Sequence, residues 1–94
     1  MFRSRAPVNR MTTVVVYTKE GCHLCENVIS TLEKMATERP LEISTRDIME
    51  SSELYERYKH VIPVVEVNGK VRLGGSTLSN QNTLEMVLRR AIFS

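Results

Sequence analysis

Tryptophan is absent from this chain, and its aromatic side chains come to two Phe and three Tyr. The core therefore has to be aliphatic, built from Val, Ile, Leu and Met, which a hydrophobic content of 41% allows. No apolar run approaches the roughly 20 residues that cross a bilayer, and the first residues lack the apolar stretch of a secretory signal. Neither sign of charge dominates. A formal net charge of +2 is too mild to point to nucleic acid or an anionic membrane. Cysteine is scarce as well: secreted mini-proteins spread several cysteines along the chain, and here there are two. Internal repeats and low-complexity segments are also missing.

What remains is one small domain, since 94 residues suffice for one and no more. Residues 1–12 carry Arg3, Arg5, Arg10 and Pro7 without an acid. They read as a disordered basic arm, either a frayed terminus or an overlong start before Met11. Residues 13–94 form the expected domain.

Within it, residues 13–17 are a β-branched run closed by polar residues and Gly21, the pattern of a strand covered on both faces. Leu24, Val28, Leu32 and Met35 then recur at helical spacing, which predicts a helix over residues 22–37, stopped before Pro40. Residues 41–45 alternate Leu41 and Ile43 against Glu42 and Ser44, a second strand and hence a βαβ unit with parallel strands. Ser51 and Ser52 can cap a short helix that carries Leu54 and Tyr58 and runs to about Lys59. Asn68-Gly69 between two alternating runs predicts a hairpin, ended by Gly74-Gly75. Leu84, Val87, Leu88 and Ala91 mark a last helix, with Ser76, Thr77, Ser79 and Asn80 as candidate caps. The order is β-α-β-α-β-β-α, an α/β fold with a four-stranded mixed sheet and helices on its faces. Tyr17, Tyr55 and Tyr58 read as core-edge packing, and the methionines as gap-filling core.

Both cysteines lie in Cys22-His23-Leu24-Cys25, at the junction of the buried strand and the first helix. A disulfide across two intervening residues closes a tiny loop and makes a poor staple. Unpaired N–H groups and the positive end of the helix dipole stabilise a thiolate at such a junction, lowering the first thiol below the free value of about 8.5. Lys19, and His23 when protonated, add positive charge nearby, so both are candidates for redox tuning. Cys25 sits one turn in, toward the core stripe. Cys22 is then the attacking thiol and Cys25 the one that resolves a mixed disulfide. Zinc is the rival reading. A structural site wants four ligands, and the chain offers these two cysteines, His23 and His60, without a second C-x-x-C. His23 is badly placed between the cysteines to join them. His60 also fits as a plain helix-end residue.

The strand followed by Cys22-His23-Leu24-Cys25, Ile62-Pro63 ahead of the hairpin and Gly74-Gly75 after it together resemble the glutaredoxin branch of the thioredoxin fold. The resemblance covers about residues 13–92. It implies a thioredoxin-like fold with Pro63 in cis facing the cysteines, although a plain strand-starting proline would fit the sequence too. It places Lys19 at the glycine carboxylate of glutathione, Ile62 and Pro63 at the peptide backbone of the substrate, and Gly75, Ser76 and Thr77 at the N-terminus of the last helix, where a γ-glutamyl carboxylate would bind. The chain departs from the family's usual Cys-Pro-Tyr-Cys, has Val61-Ile62-Pro63 for Thr-Val-Pro, and offers Ser76 and Thr77 where an acid usually follows the glycines. It looks like the small glutaredoxin-like proteins with a Cys-x-Leu-Cys site.

The expected function is therefore that of a cytoplasmic dithiol–disulfide oxidoreductase acting on a protein or glutathione mixed disulfide. Its donor would be glutathione or thioredoxin reductase. The resemblance implies no tightly bound cofactor, glutathione as co-substrate, a monomer, and no nucleic-acid or membrane partner. The alternatives are a non-enzymatic redox sensor and a metal- or iron–sulfur-binding module on the same fold.

Overall fold

The β-branched run at the start of the domain forms the middle of the sheet. In the computed structural model, which describes residues 11–93 (the side chain of Ser76 apart), β1 spans Thr12–Thr18 and takes in one residue more than predicted at each end. Most of the basic arm, residues 1–10, lies outside the described residues. β1 pairs in parallel with β2 (Leu41–Asp47) and antiparallel with β3 (Val64–Val67), and β4 (Lys70–Gly74) closes the other edge antiparallel to β3. The strand order is β2-β1-β3-β4. Three α-helices complete the order expected from the sequence: α1 (His23–Met35), α2 (Ser52–Tyr58) and α3 (Leu84–Phe93). Two short 3₁₀ turns, Ile48–Glu50 and Gly75–Leu78, are added to it.

Both faces of β1 are covered. Val14 and Val16 point into the main core, where Val28, Leu32 and Met35 from α1 meet Leu84, Leu88 and Ile92 from α3. Val15 and Tyr17 face the other way, into a smaller cluster with Ile48, Val64, Leu54 and Tyr58 on the α2 side. The core is aliphatic, as the missing tryptophan demanded. Burying each Leu or Val contributes about 1.5–3 kcal/mol. Of the methionines, Met35 fills the core, but Met11, Met49 and Met86 are exposed, against the gap-filling role expected of them.

Local chemistry sets the element ends. α1 stops at Met35 rather than Thr37, because the Thr37 hydroxyl and amide donate to the Lys34 carbonyl (2.7 and 3.2 Å) and tighten the chain into a turn ahead of Pro40. Asp47 extends β2 beyond the predicted end and accepts the Met49 N–H (2.8 Å), capping the turn that follows. Ser51 caps α2 by accepting the Leu54 N–H (3.0 Å). Asn68 and Gly69 have φ of 50° and 87°, the left-handed pair a tight hairpin requires. Asn68 also clasps β1, accepting the Thr13 N–H through its side chain (3.0 Å) and donating its own N–H to the Thr13 carbonyl (2.8 Å). β4 carries an extra residue: Leu73 pairs with Val65 and Val71 with Glu66, which leaves Arg72 as a bulge. Among the described residues no helix is long and apolar enough to cross a membrane.

An ion-pair network ties α1 to α3. Arg89 donates to Glu38 (2.6 Å) beyond the end of α1 and to Glu85 (2.7 Å), and Lys34 lies 3.7 Å from Glu85. These hydrogen bonds hold the Glu38 and Glu85 carboxyls below the ordinary 4.5 and raise the Arg89 guanidinium. A depressed carboxyl stabilises the fold above its unfolded value, and that stability is lost as the pH falls through the lower folded value. All three groups are on the surface, so the contribution is modest and screened by salt. Arg89→Met should therefore be less stable than wild type at neutral pH in urea unfolding. The gap between them should close as the pH drops below 4.5. A gap that stays constant down to strong acid would show that the network contributes nothing.

Candidate functional site

The site is assembled where β1 runs out. After Thr18 the chain reverses in a turn closed by the Cys22 N–H donating to the Lys19 carbonyl (3.2 Å). Gly21 takes the third position of that turn with φ 85°, a conformation that L-residues adopt at a cost. Cys22 then caps α1 in an extended conformation, and its Sγ accepts the Cys25 N–H at 3.1 Å. Its carbonyl accepts the Glu26 N–H, the first bond of the helix (3.1 Å). The sulfur of Cys22 thus occupies the place of a capping oxygen, at the positive end of the helix dipole.

The two sulfurs are joined in a disulfide, with Cα atoms 5.2 Å apart. They are unequal in surroundings. Cys25 is fully buried against the core side of α1, whereas Cys22 is partly exposed. Charges of both signs lie nearby. Lys19 and Glu20 are exposed, and the His23 side chain is 92% exposed and turned to Glu26 (Nδ1 to Oε1, 3.5 Å). His60 lies exposed past the end of α2. Among the described residues no group of three or more His, Cys, Asp or Glu is arranged to hold a metal ion.

The other predicted elements arrive at the same end of the sheet. β3 begins at Val64 opposite Tyr17, so the Ile62–Pro63 segment leading into it lies at the end of the sheet where β1 runs out. The Ile62–Pro63 peptide bond is cis, and Pro63 is buried. Its carbonyl accepts the Gly75 N–H (3.0 Å). Gly75, at φ 52°, presses on the preceding segment: a Cβ there would lie 3.1 Å from the Val61 oxygen and 3.3 Å from its Cα. Gly74 is under no such pressure. The glycine pair is therefore more than a strand terminator. Gly75 lets β4 end directly against the Val61-Ile62-Pro63 turn.

One expected placement changes. Gly75, Ser76 and Thr77 do not stand at the N-terminus of the last helix. They form the 3₁₀ turn Gly75–Leu78, which drives Leu78 fully into the core. An Asn80 turn follows, its side chain accepting the Asn82 N–H (2.9 Å), before α3 begins at Leu84.

Sequence patterns did not reveal the support under the site. The Tyr17 ring stacks on Tyr58 (centroids 4.9 Å apart), and its hydroxyl donates to Glu66 (3.3 Å). Burial, and then the Glu66 carboxylate, push the phenol above its ordinary value. Tyr17 thus stays protonated and anchors the strand end from which the cysteine turn hangs. Alternation marks Glu66 as outward, and only the pairing of β3 with β1 brings Tyr17 within its reach.

The glutaredoxin-like domain family (DUF836) matches this chain over residues 13–91. The chain belongs to that family. Among solved structures it is similar to protein Ne2328 from Nitrosomonas europaea, determined by solution NMR. They share 27% identity with a TM-score of 0.63, over 81% of this chain and 87% of that one. It is also similar to a mutant thioredoxin from Halobacterium salinarum, at 14% identity and a TM-score of 0.57, over 88% and 76% of the two chains. That second likeness establishes the thioredoxin-like fold. No curated protein matches.

The two positive-φ glycines at the site separate conformational cost from crowding. Gly21→Ala meets nothing within 4 Å and should cost about 1 kcal/mol for the backbone alone. Gly75→Ala must also displace Val61, and about 2–3 kcal/mol is expected. Urea midpoints of the two variants test this; equal losses would refute the crowding.

Proposed function

We propose that this glutaredoxin-like domain is a dithiol–disulfide oxidoreductase. The observation that carries the reading is the Cys25 N–H pointed at Cys22 Sγ at the head of α1, with Cys25 itself out of solvent. In the reduced protein that N–H and the helix dipole favour a Cys22 thiolate. The thiolate attacks one sulfur of a substrate disulfide. The substrate S–S bond breaks, one substrate thiolate leaves and takes a proton from water, and the other stays joined to Cys22. Cys25 then gives up its proton and attacks Cys22 Sγ, releasing the second substrate thiol and closing Cys22–Cys25. The substrate gains two electrons, and the protein loses them. Two glutathione molecules, or the dithiol of thioredoxin reductase, restore the reduced pair. The two sulfurs hold the electron pair, so the scheme calls for no tightly bound cofactor. A cytoplasmic setting would supply the reductant.

The remaining predicted residues take supporting roles in this proposal. Ile62 and Pro63 offer backbone beside the cysteine turn to an extended substrate, and Gly75, Ser76 and Thr77 flank it. Lys19, and His23 when protonated, add positive charge that favours the thiolate, partly offset by Glu20 and Glu26.

Reduced wild type should accelerate disulfide reduction, and Cys22→Ser should fall to the uncatalysed rate. Cys25→Ser should accumulate a substrate adduct on Cys22, visible by intact-protein mass spectrometry. Alkylation of Cys22 should titrate with a midpoint below about 8.5. Full activity in Cys22→Ser, or a midpoint at the free-thiol value, would end the proposal.

A further inference from the structure

Most arginines of the described chain are engaged. Arg46 donates to Glu50, Arg57 to Glu53, and Arg89 to Glu38 and Glu85. Arg39 lies over the Phe93 ring (4.6 Å), and Arg90 also has a partner. Arg72 is the exception: among the described residues nothing pairs with its side chain. It is also the bulged residue of the edge strand β4, and bulges re-aim a side chain out of the ladder.

The bulge puts Arg72 between two shallow hollows that share it and Leu73. One, of about 270 Å³, is walled by Tyr58, Val61, Val71 and Thr77 and adjoins Gly74. The other, of about 360 Å³, lies over Val87 and Ala91 of α3, with Arg90 at its side. Among the described residues no Asp or Glu lines either hollow. Val61 and Val71 are large apolar side chains left 42% and 53% exposed. Val61 in the wall of the first hollow is bonded to Ile62, and the Gly75 backbone lies close against it.

We infer that this groove receives the polypeptide flank of the substrate, and that the preferred substrate is a protein disulfide whose reactive cysteine is followed by an apolar and then an acidic residue. The inference rests on the oxidoreductase reading and deepens it. Substrate backbone lying along Ile62 delivers its next side chains toward Val61 and Val71, which take the apolar one. Arg72, with no acid to satisfy it, takes the carboxylate in a charge-assisted pair. Charge complementarity across such a rim governs selection and encounter.

Three probes test it with reduced protein: a short peptide with cysteine as its pyridyl disulfide followed by Leu and Asp, the same peptide with Lys for Asp, and dithiodipyridine. Thiopyridone release is the readout. Arg72→Glu should raise the half-saturating concentration of the acidic peptide about tenfold without changing its saturated rate. It should improve the lysine peptide and leave dithiodipyridine unaffected, which also reports an intact fold. Equal reaction of the two peptides with wild type, or equal losses on all three probes, would overturn the groove. A redox-inert serine version of the acidic peptide, titrated into isotope-labelled protein, separates the two proposals. Shifts at Val61, Arg72 and Leu73 without thiopyridone release from any probe would leave the groove standing and remove the oxidoreductase reading. Release without those shifts would remove the groove alone.

Discussion

The burial of β1 between two clusters is the constraint on which the rest depends. Its side chains are committed alternately to the α1/α3 core and to the α2 cluster, so the strand can neither slip nor turn over without exposing one set. Its neighbours β2 and β3 fix it laterally. A strand held on four sides gives its C-terminal end a defined position. From that end hangs the turn that carries Cys22, and to it β3 brings the Ile62–Pro63 segment that precedes Val64. The site inherits its rigidity from Val14, Val16 and Tyr17, none of which touches a substrate in the proposed reaction.

The same constraint makes the two cysteines differ. A C-x-x-C on a helix places its second residue one turn on, and the stripe of Val28, Leu32 and Met35 decides which way that turn faces. Cys25 falls on the stripe and is buried. Cys22, at the cap, stays at the surface with its sulfur against a backbone N–H. Helix amphipathicity therefore assigns the chemical roles, and the intervening His23 and Leu24 leave that division as it is.

Much of this was legible in the chain because it rests on local signals. The β-branched run, the helical stripe after Gly21, Asn68-Gly69 and Ser51 each dictate their own element, and each element formed. What the sequence hid depends on pairing across the sheet. Arg72 looks like an ordinary member of an alternating strand until Gly74 is seen opposite Val64, which makes β4 one residue longer than its partner. Glu66 acquires Tyr17 by the same route. The resemblance puts Gly75, Ser76 and Thr77 at the start of the last helix, and the several candidate caps before Leu84 leave that start open, whereas the 3₁₀ turn Gly75–Leu78 comes between. Leu78, whose burial in the core selects the 3₁₀ turn, gave no periodic signal of its own.

The bulge in β4 has a consequence for the sheet as a whole. An open sheet ends in two rims of unpaired backbone groups, and a flat rim is a template on which another molecule can add a strand. Here one rim carries a bulge at Arg72, an exposed cation. A second β4 laid alongside would meet a broken register and a like charge. The irregularity therefore works against self-association along that edge, and growth of the sheet from copy to copy is discouraged at the rim nearest the hairpin.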